Sequence, residues 1–196
     1  INRNTVGAVV GVQPFGGEGL SGTGPKAGGP LYTYRLVDTA ALPKYSANKV
    51  EVDFASLTKF VASLGSYGLA KDQVTRLIHL AHKLKQHSPL AEQVDLPGPT
   101  GERNFMIFAA RGYVGCIAKD TYGYCEQVIH ALATGNDVIL PRDGIAEQLI
   151  ANASENSYVV DDIAYDAKLI HAVLVANNYH NLGDLRKELA KRDSLL

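Results

Sequence analysis

The sequence predicts an α/β chain: a Rossmann-like, mostly parallel sheet with helices on both faces, preceded by a glycine-rich loop and a β-strand segment. Three observations carry this reading. From residue 105 onward, apolar β-type runs alternate with helical periods, the pattern of parallel strands joined by crossover helices. The candidate strands at 114–118, 137–140 and 170–176 are short and almost wholly apolar, as strands covered on both faces are. Nine of the nineteen glycines fall between Gly7 and Gly29. A backbone accepts that density where it turns sharply or approaches a ligand or another chain closely.

Taken in order, Ala8, Val9 and Val10 form a first short strand between Gly7 and Gly11. Pro14, Phe15, Pro25 and Pro30 punctuate the glycines that follow, so this is a shaped loop and not a flexible Gly/Ser linker. Residues 31–37 (LYTYRLV) are aromatic and β-branched, a strand by propensity. Residues 38–49, with Pro43, Ser46 and Asn48, read as a linker. The expected organisation is therefore a segment 1–37, the linker 38–49, and a Rossmann-like domain 50–196.

Within that domain Asp53 is a good N-cap. Leu57, Phe60, Val61 and Leu64 repeat at helical spacing, and Gly65 stops the run. A second helix fits 71–86, with Val74, Leu77, Ile78, Ala81 and Leu84 on one face, and Ser88 and Pro89 end it. Pro97, Gly98, Pro99 and Gly101 mark 90–104 as loop. Strands follow at 105–109 and 114–118, then a helix at 122–134 closed by Gly135. A strand at 137–140, a helix at 145–153, strands at 157–160 and 170–176 and a helix at 182–192 complete the alternation.

The bulk properties exclude several function classes. Formal net charge is −1, from 19 basic and 20 acidic residues, and the isoelectric point is near 6.6. A nucleic-acid-binding domain carries a basic face or an isoelectric point above about 9, so no nucleic-acid partner is expected. No apolar run approaches the roughly 18 residues of a membrane span. Cys116 and Cys125 are too few for a disulfide framework and lack metal-ligand spacing, which favours a reduced, cytoplasmic setting. The chain opens at Ile1 inside a structured-looking segment, and Ser194–Leu196 begins what reads as a new element, so a piece of something longer is expected.

Each candidate motif has a plainer competitor. Gly22, Gly24 and Ala27 fit G-x-G-x-x-A, but Pro25 lies inside the motif and Gly28, Gly29 and Pro30 follow. A dinucleotide fingerprint needs a helix to start there. Cys116 lies in an apolar strand and Cys125 on an apolar helix face, so both read as buried structural thiols. His79 and His82, one turn apart, lack a third ligand and read as a solvated helix face. Glu102, Arg103, Asp161 and Asp162 read as capping or surface charges. No acid/base pair stands out. The turn at 111–115 could cradle a phosphate, making 50–196 an independent nucleotide-binding or protein-interaction module. That turn joins two strands, however, and not a strand to a helix.

The opening residues carry a resemblance. Asn2, Arg3, Asn4, Thr5, Val6, Gly7 and Ala8, then 13–17 (QPFGG), then 19–30 (GLSGTGPKAGGP), resemble the C-terminal end of an aldehyde dehydrogenase domain. The last string is similar to the glutamate-semialdehyde (pyrroline-5-carboxylate) dehydrogenase domain of the proline utilization A family of bifunctional proline-oxidising flavoenzymes. PGPTGERN at 97–104 and ALATGNDVIL at 131–140 look like the extra C-terminal domain of longer members, itself an aldehyde-dehydrogenase-like fold.

The resemblance implies a division of labour. The turn at Gly7 and Ala8 would anchor the α-carboxylate of glutamate semialdehyde, as adjacent backbone N–H groups can, and Phe15 would pack on its aliphatic part. Where active relatives continue into K-P-S-E, this chain reads Leu140, Pro141, Arg142, Asp143, so the lysine that helps hold the cofactor ribose is replaced by Pro141. NAD and FAD then belong to the parent enzyme and no cofactor to this chain, which lacks the catalytic residues. The resemblance further implies that 50–196 covers the dehydrogenase active site and helps seal the cavity for the intermediate. Its main partner would be the rest of the parent polypeptide. The parent would sit in the cytoplasm or peripherally at the inner membrane, a homo-oligomer is left open, and the last strands of the fold would lie beyond Leu196.

Overall fold

A computed structural model describes residues 14–16, 26–29, 32, 36, 47–49, 52–90, 92–98, 100–164, 169–177 and 179–191. The chain divides into two units. One takes residues 1–51 with 91–108, and the other takes 52–90 with 109–195.

The first unit contains a three-stranded antiparallel sheet of β1 (Ala47–Lys49), β2 (Glu92–Leu96) and β3 (Asn104–Ile107), in that order. The stretch at 90–104, expected as loop, therefore holds a strand and the turn of a hairpin. Val94 pairs with Met106 and Asp95 with Phe105. Gly101 turns the chain with φ +90°, and Arg103 reaches back to Asp95 at 3.1 Å. Further upstream, Phe15 and Ala27 exchange both backbone hydrogen bonds at 2.8–2.9 Å. Of the expected strand at 31–37 only Tyr32 and Leu36 are described, and both lie in 3-10 turns. The strand expected at 8–10 is outside the described residues.

The second unit is the expected α/β body. The N-cap of α1 (Ala55–Ser63) is Phe54 and not Asp53; Asp53, one residue earlier, accepts the Ala55 N–H at 2.7 Å. The helix does not stop at Gly65; it tightens into a 3-10 turn, Leu64–Ser66, and ends where Gly68 takes φ +71°. In α2 (Lys71–His87) the Gln73 side chain accepts the Ala70 N–H at 3.0 Å, satisfying one of the orphan donors at a helix start.

Four parallel strands follow: β4 (Tyr113–Ile117), β5 (Asp137–Pro141), β6 (Tyr158–Val160) and β7 (Ala172–Val175), in spatial order β6-β5-β4-β7. Between them run α3 (Thr121–Ala133) and α4 (Ala146–Ile150), and α5 (Leu182–Leu189) follows β7. The period of two along each strand sorts the apolar residues into two cores. Val114, Cys116, Val138 and Leu140 face one layer, where α1, α2, α3 and α4 contribute Leu57, Phe60, Leu77, Val128, Ile129 and Leu149. Ile139 faces the other, with Ile163, Ile170 and the α5 residues Leu185 and Leu189. Each fully buried aliphatic or aromatic side chain stabilises by roughly 1.5–3 kcal/mol. A Cβ on Gly115 would stand 2.9–3.0 Å from methyl groups of Ile170 and Ile163, so glycine lets these side chains pack directly on β4.

Among the described residues no helix is long and apolar enough to cross a membrane.

Candidate functional site

In an open parallel sheet, ligands bind outside the carboxyl ends of the strands, where the strand order reverses. Here β4 leads to β5 on one side and borders β7 on the other, so the reversal falls between β4 and β7. A crevice of about 610 Å³ opens there, lined by Lys119, Asp120, Tyr122, Glu126 and His130 with the end of β7. A Rossmann sheet would offer a pyrophosphate the free N–H groups of the following helix at this place. In this chain Asp120 caps α3, its carboxylate accepting the Gly123 N–H at 2.8 Å. A carboxylate on that donor, with Glu126 one turn further on, disfavours a phosphate. Gln127 donates to the Ile117 carbonyl at 3.1 Å, and its own side-chain oxygen is buried without a partner.

The turn at 111–115 is already filled. The Asn136 carboxamide oxygen accepts the N–H of Arg111 at 2.8 Å and of Gly112 at 3.0 Å. Its NH₂ donates to the hydroxyl of Thr134 at 2.8 Å and to the Thr134 carbonyl at 3.2 Å. Asn136 is only 8% exposed. Two adjacent N–H groups converge here as in an anion-binding nest, but on a side chain of the same chain. Beside it, His171 accepts the Tyr113 N–H on Nδ1 at 3.0 Å and returns its own backbone N–H to the Tyr113 carbonyl at 2.9 Å. The imidazole thus extends the β4–β7 ladder by one acceptor.

At the carboxyl end of β5, Pro141 continues the strand in register with Val160. Arg142 turns aside to Asp161 at 2.8 Å and to Glu147. These carboxylates, Asp161 foremost, raise the guanidinium pKa above its ordinary value. Asp143 caps α4, accepting the N–H groups of Ile145 and Ala146 at 3.1 Å. The Tyr124 hydroxyl lies close enough to feel this carboxylate: its pKa is raised first by burial and then by Asp143. The polar groups in the K-P-S-E position are therefore engaged with one another.

Of the residues read from sequence as substrate contacts, Gly7 and Ala8 lie outside the described residues. Phe15 is described and is not core: 69% of its surface is exposed. Gly22 and Gly24 are likewise outside, while Ala27 sits in the bridge to Phe15 and starts no helix. Cys116 and Cys125 are both fully buried. Desolvation pushes the Cys125 thiol up to about 12 and raises Cys116 as well. They stay protonated and inert, and stability declines only once pH passes above the ordinary thiol range of the unfolded chain.

His79 and His82 are exposed on α2; among the described residues no group of three metal-ligating side chains forms. Arg103 and Asp161 are in ion pairs, and Asp162 caps the Ala164 N–H at 2.7 Å. The groups that organise the two edges, Asp120, Asn136, Arg142 and His171, carry little signal in the sequence. The available signals were an Asp two residues past a strand, and an Asn directly after a helix-ending Gly.

No family model matches the chain. It is 38% identical over 210 aligned residues to the bifunctional protein PutA of Escherichia coli, covering all of this chain and 16% of that protein. With the bifunctional protein PutA of Rhizobium meliloti it shares 46% identity over 140 residues, 71% of this chain and 11% of that one. A shorter stretch of 31 residues, 16% of this chain, is 64% identical to 6% of the 1-pyrroline-5-carboxylate dehydrogenase of Bacillus thuringiensis. The chain thus spans about one sixth of the length of the PutA relatives that match it from end to end.

Proposed function

We propose that this chain, which is similar to PutA along its whole length, is part of a bifunctional enzyme that oxidises proline to glutamate by way of pyrroline-5-carboxylate and glutamate semialdehyde. The observation that carries the reading is that one chain matches PutA throughout and pyrroline-5-carboxylate dehydrogenase over one short stretch. In this reading residues 1–37 belong to the dehydrogenase domain. Gly7 and Ala8 hold the substrate carboxylate on backbone N–H groups, and Phe15, exposed on its two-residue bridge to Ala27, lies against the aliphatic chain of the substrate. Residues 50–196 act as a non-catalytic lid that binds the rest of the polypeptide and retains the intermediate. A cytoplasmic setting, with NAD and FAD held elsewhere in the enzyme, belongs to the same proposal.

The edge residues support a lid over a nucleotide site. Asp120 takes the α3 donor, Asn136 takes the turn at 111–115, Pro141 stands where the cofactor lysine would be, and the next residue, Arg142, is paired with Asp161. Calorimetric titration of this chain with NAD is expected to give no binding heat up to millimolar ligand; saturable micromolar binding would refute the loss of the cofactor site. Removing residues 50–196 from the full-length enzyme is expected to leave proline oxidation intact but to slow coupled conversion to glutamate, with a lag in NADH formation. Coupled turnover without a lag would remove the lid role.

A further inference from the structure

The crevice of about 610 Å³ at the carboxyl ends of β4 and β7 has no part in the proposed lid, and its walls have a definite chemistry. The residues that α3 gives to it, Tyr122, Glu126, Gln127 and His130, recur at spacings of three to four and so share one helix face. Glu126 is half-buried, and among the described residues it makes no hydrogen bond and no ion pair. Gln127 spends its side-chain NH₂ on the Ile117 carbonyl at 3.1 Å, which leaves Oε1 buried with no donor. Asp120 stands at the mouth as a second carboxylate, with one oxygen on the Gly123 N–H. Lys119 beside it is exposed and pairs with neither carboxylate. From the other side the end of β7 contributes Leu174, Val175 and Ala176, half-buried and apolar. One wall is thus rich in acceptors that lack donors, and the facing wall is aliphatic.

We propose that this crevice binds a small aliphatic ammonium ion, whose N–H groups donate to the Glu126 carboxylate and to Gln127 Oε1 while its alkyl chain lies along Leu174 and Val175. An ammonium has three donors and no acceptor, the complement of the α3 wall. A partly buried acceptor without a partner is costly, and a bond from a charged donor to a carboxylate is among the stronger hydrogen bonds. The alkyl chain gains by leaving water for the β7 wall. Other occupants fit less well. A phosphate or a carboxylate would meet Asp120 and Glu126 with like charge. A bare divalent cation asks for a shell of six or more oxygens, and among the described residues no group of three metal-ligating side chains forms. Glu126 is only half-buried, so water screens the pair and the binding is modest.

Titration of the 196-residue chain with n-butylammonium chloride at constant ionic strength, followed by proton–nitrogen correlation spectra, tests this. Saturable shifts with a Kd of about 1 mM or tighter are expected at the amides of Gly123, Glu126 and Gln127. None are expected at Glu155, which lies at the amino end of β6. Butan-1-ol has the same shape without the charge, and butyrate has the opposite charge; each should bind about tenfold more weakly or worse. Glu126→Gln keeps the shape and removes the charge, and should weaken the amine by about tenfold. Gln127→Met removes the second acceptor and should cost about threefold. Glu155→Gln should change nothing. The ligand series on the wild-type chain decides the matter even if a variant fails to fold. No saturation in the wild type, equal binding of the alcohol, or unchanged affinity in a folded Glu126→Gln chain would overturn the proposal. So would shifts spread evenly over the exposed carboxylates, the mark of a diffuse ion atmosphere.

Discussion

Asn136→Ala is expected to destabilise the α/β unit by about 3 kcal/mol, the sum of two stranded donors at roughly 1–3 kcal/mol each, reduced because both are only partly buried. The Asn136 oxygen is the acceptor for the Arg111 and Gly112 N–H groups. With the carboxamide gone, the turn into β4 has no side chain to close on, and Thr134 loses its partner on the far side. Urea unfolding should show a lower midpoint with an unchanged slope, the mark of a stability change without a change in exposed area. Asn136→Asp keeps the acceptor and loses the donors, so it should recover part of the loss. A midpoint for the alanine variant within experimental scatter of the parent would mean that the clasp carries no stability.

Gly112→Ala is expected to cost about as much, for a different reason. Gly112 takes φ +115°, a backbone state that side chains rarely adopt, with a strain of order 1–3 kcal/mol. A Cβ there would also stand 2.9 Å from two atoms of the His171 ring. That ring cannot swing away freely, because it accepts the Tyr113 N–H and stacks on the Tyr113 ring with centroids 6.3 Å apart. Overpacking of this kind adds about 1–3 kcal/mol. The two contributions separate in a double-mutant cycle. Against a His171→Ala background the clash is gone and the backbone strain stays, so Gly112→Ala should cost measurably less there. Equal costs in both backgrounds would show that the ring moves aside without penalty.

The parallel sheet was legible because its strands are short, apolar and bounded by helical periods, so period and composition agree at every step from Val114 to Val175. The helix ends were less so. Gly65 looked like a stop, but a 3-10 turn accommodates glycine, and it is Gly68 that takes the left-handed conformation. The hairpin of β2 and β3 was hidden because Glu92–Leu96 presents only Val94 and Leu96 among charged and amide side chains, next to Pro97 and Gly98. The pairing of β1 with β2 is long-range and leaves no local period. The candidate edges were legible only in part. Pro141 could be read as a missing lysine, but the reciprocal bonds of Asn136, separated from Arg111 by 25 positions, have no signature in the linear string. Neither does the meeting of Arg142 with Asp161, or of Tyr113 with His171.

Strand β4 hydrogen-bonds to neighbours on both sides and gives alternate side chains to each of the two apolar layers. A plank shared by two rooms cannot be lifted from one alone. Melting either layer withdraws support from the other, so the α/β unit loses its order in a single cooperative step, and its most slowly exchanging amides lie in the middle of this strand and not at the helical rim.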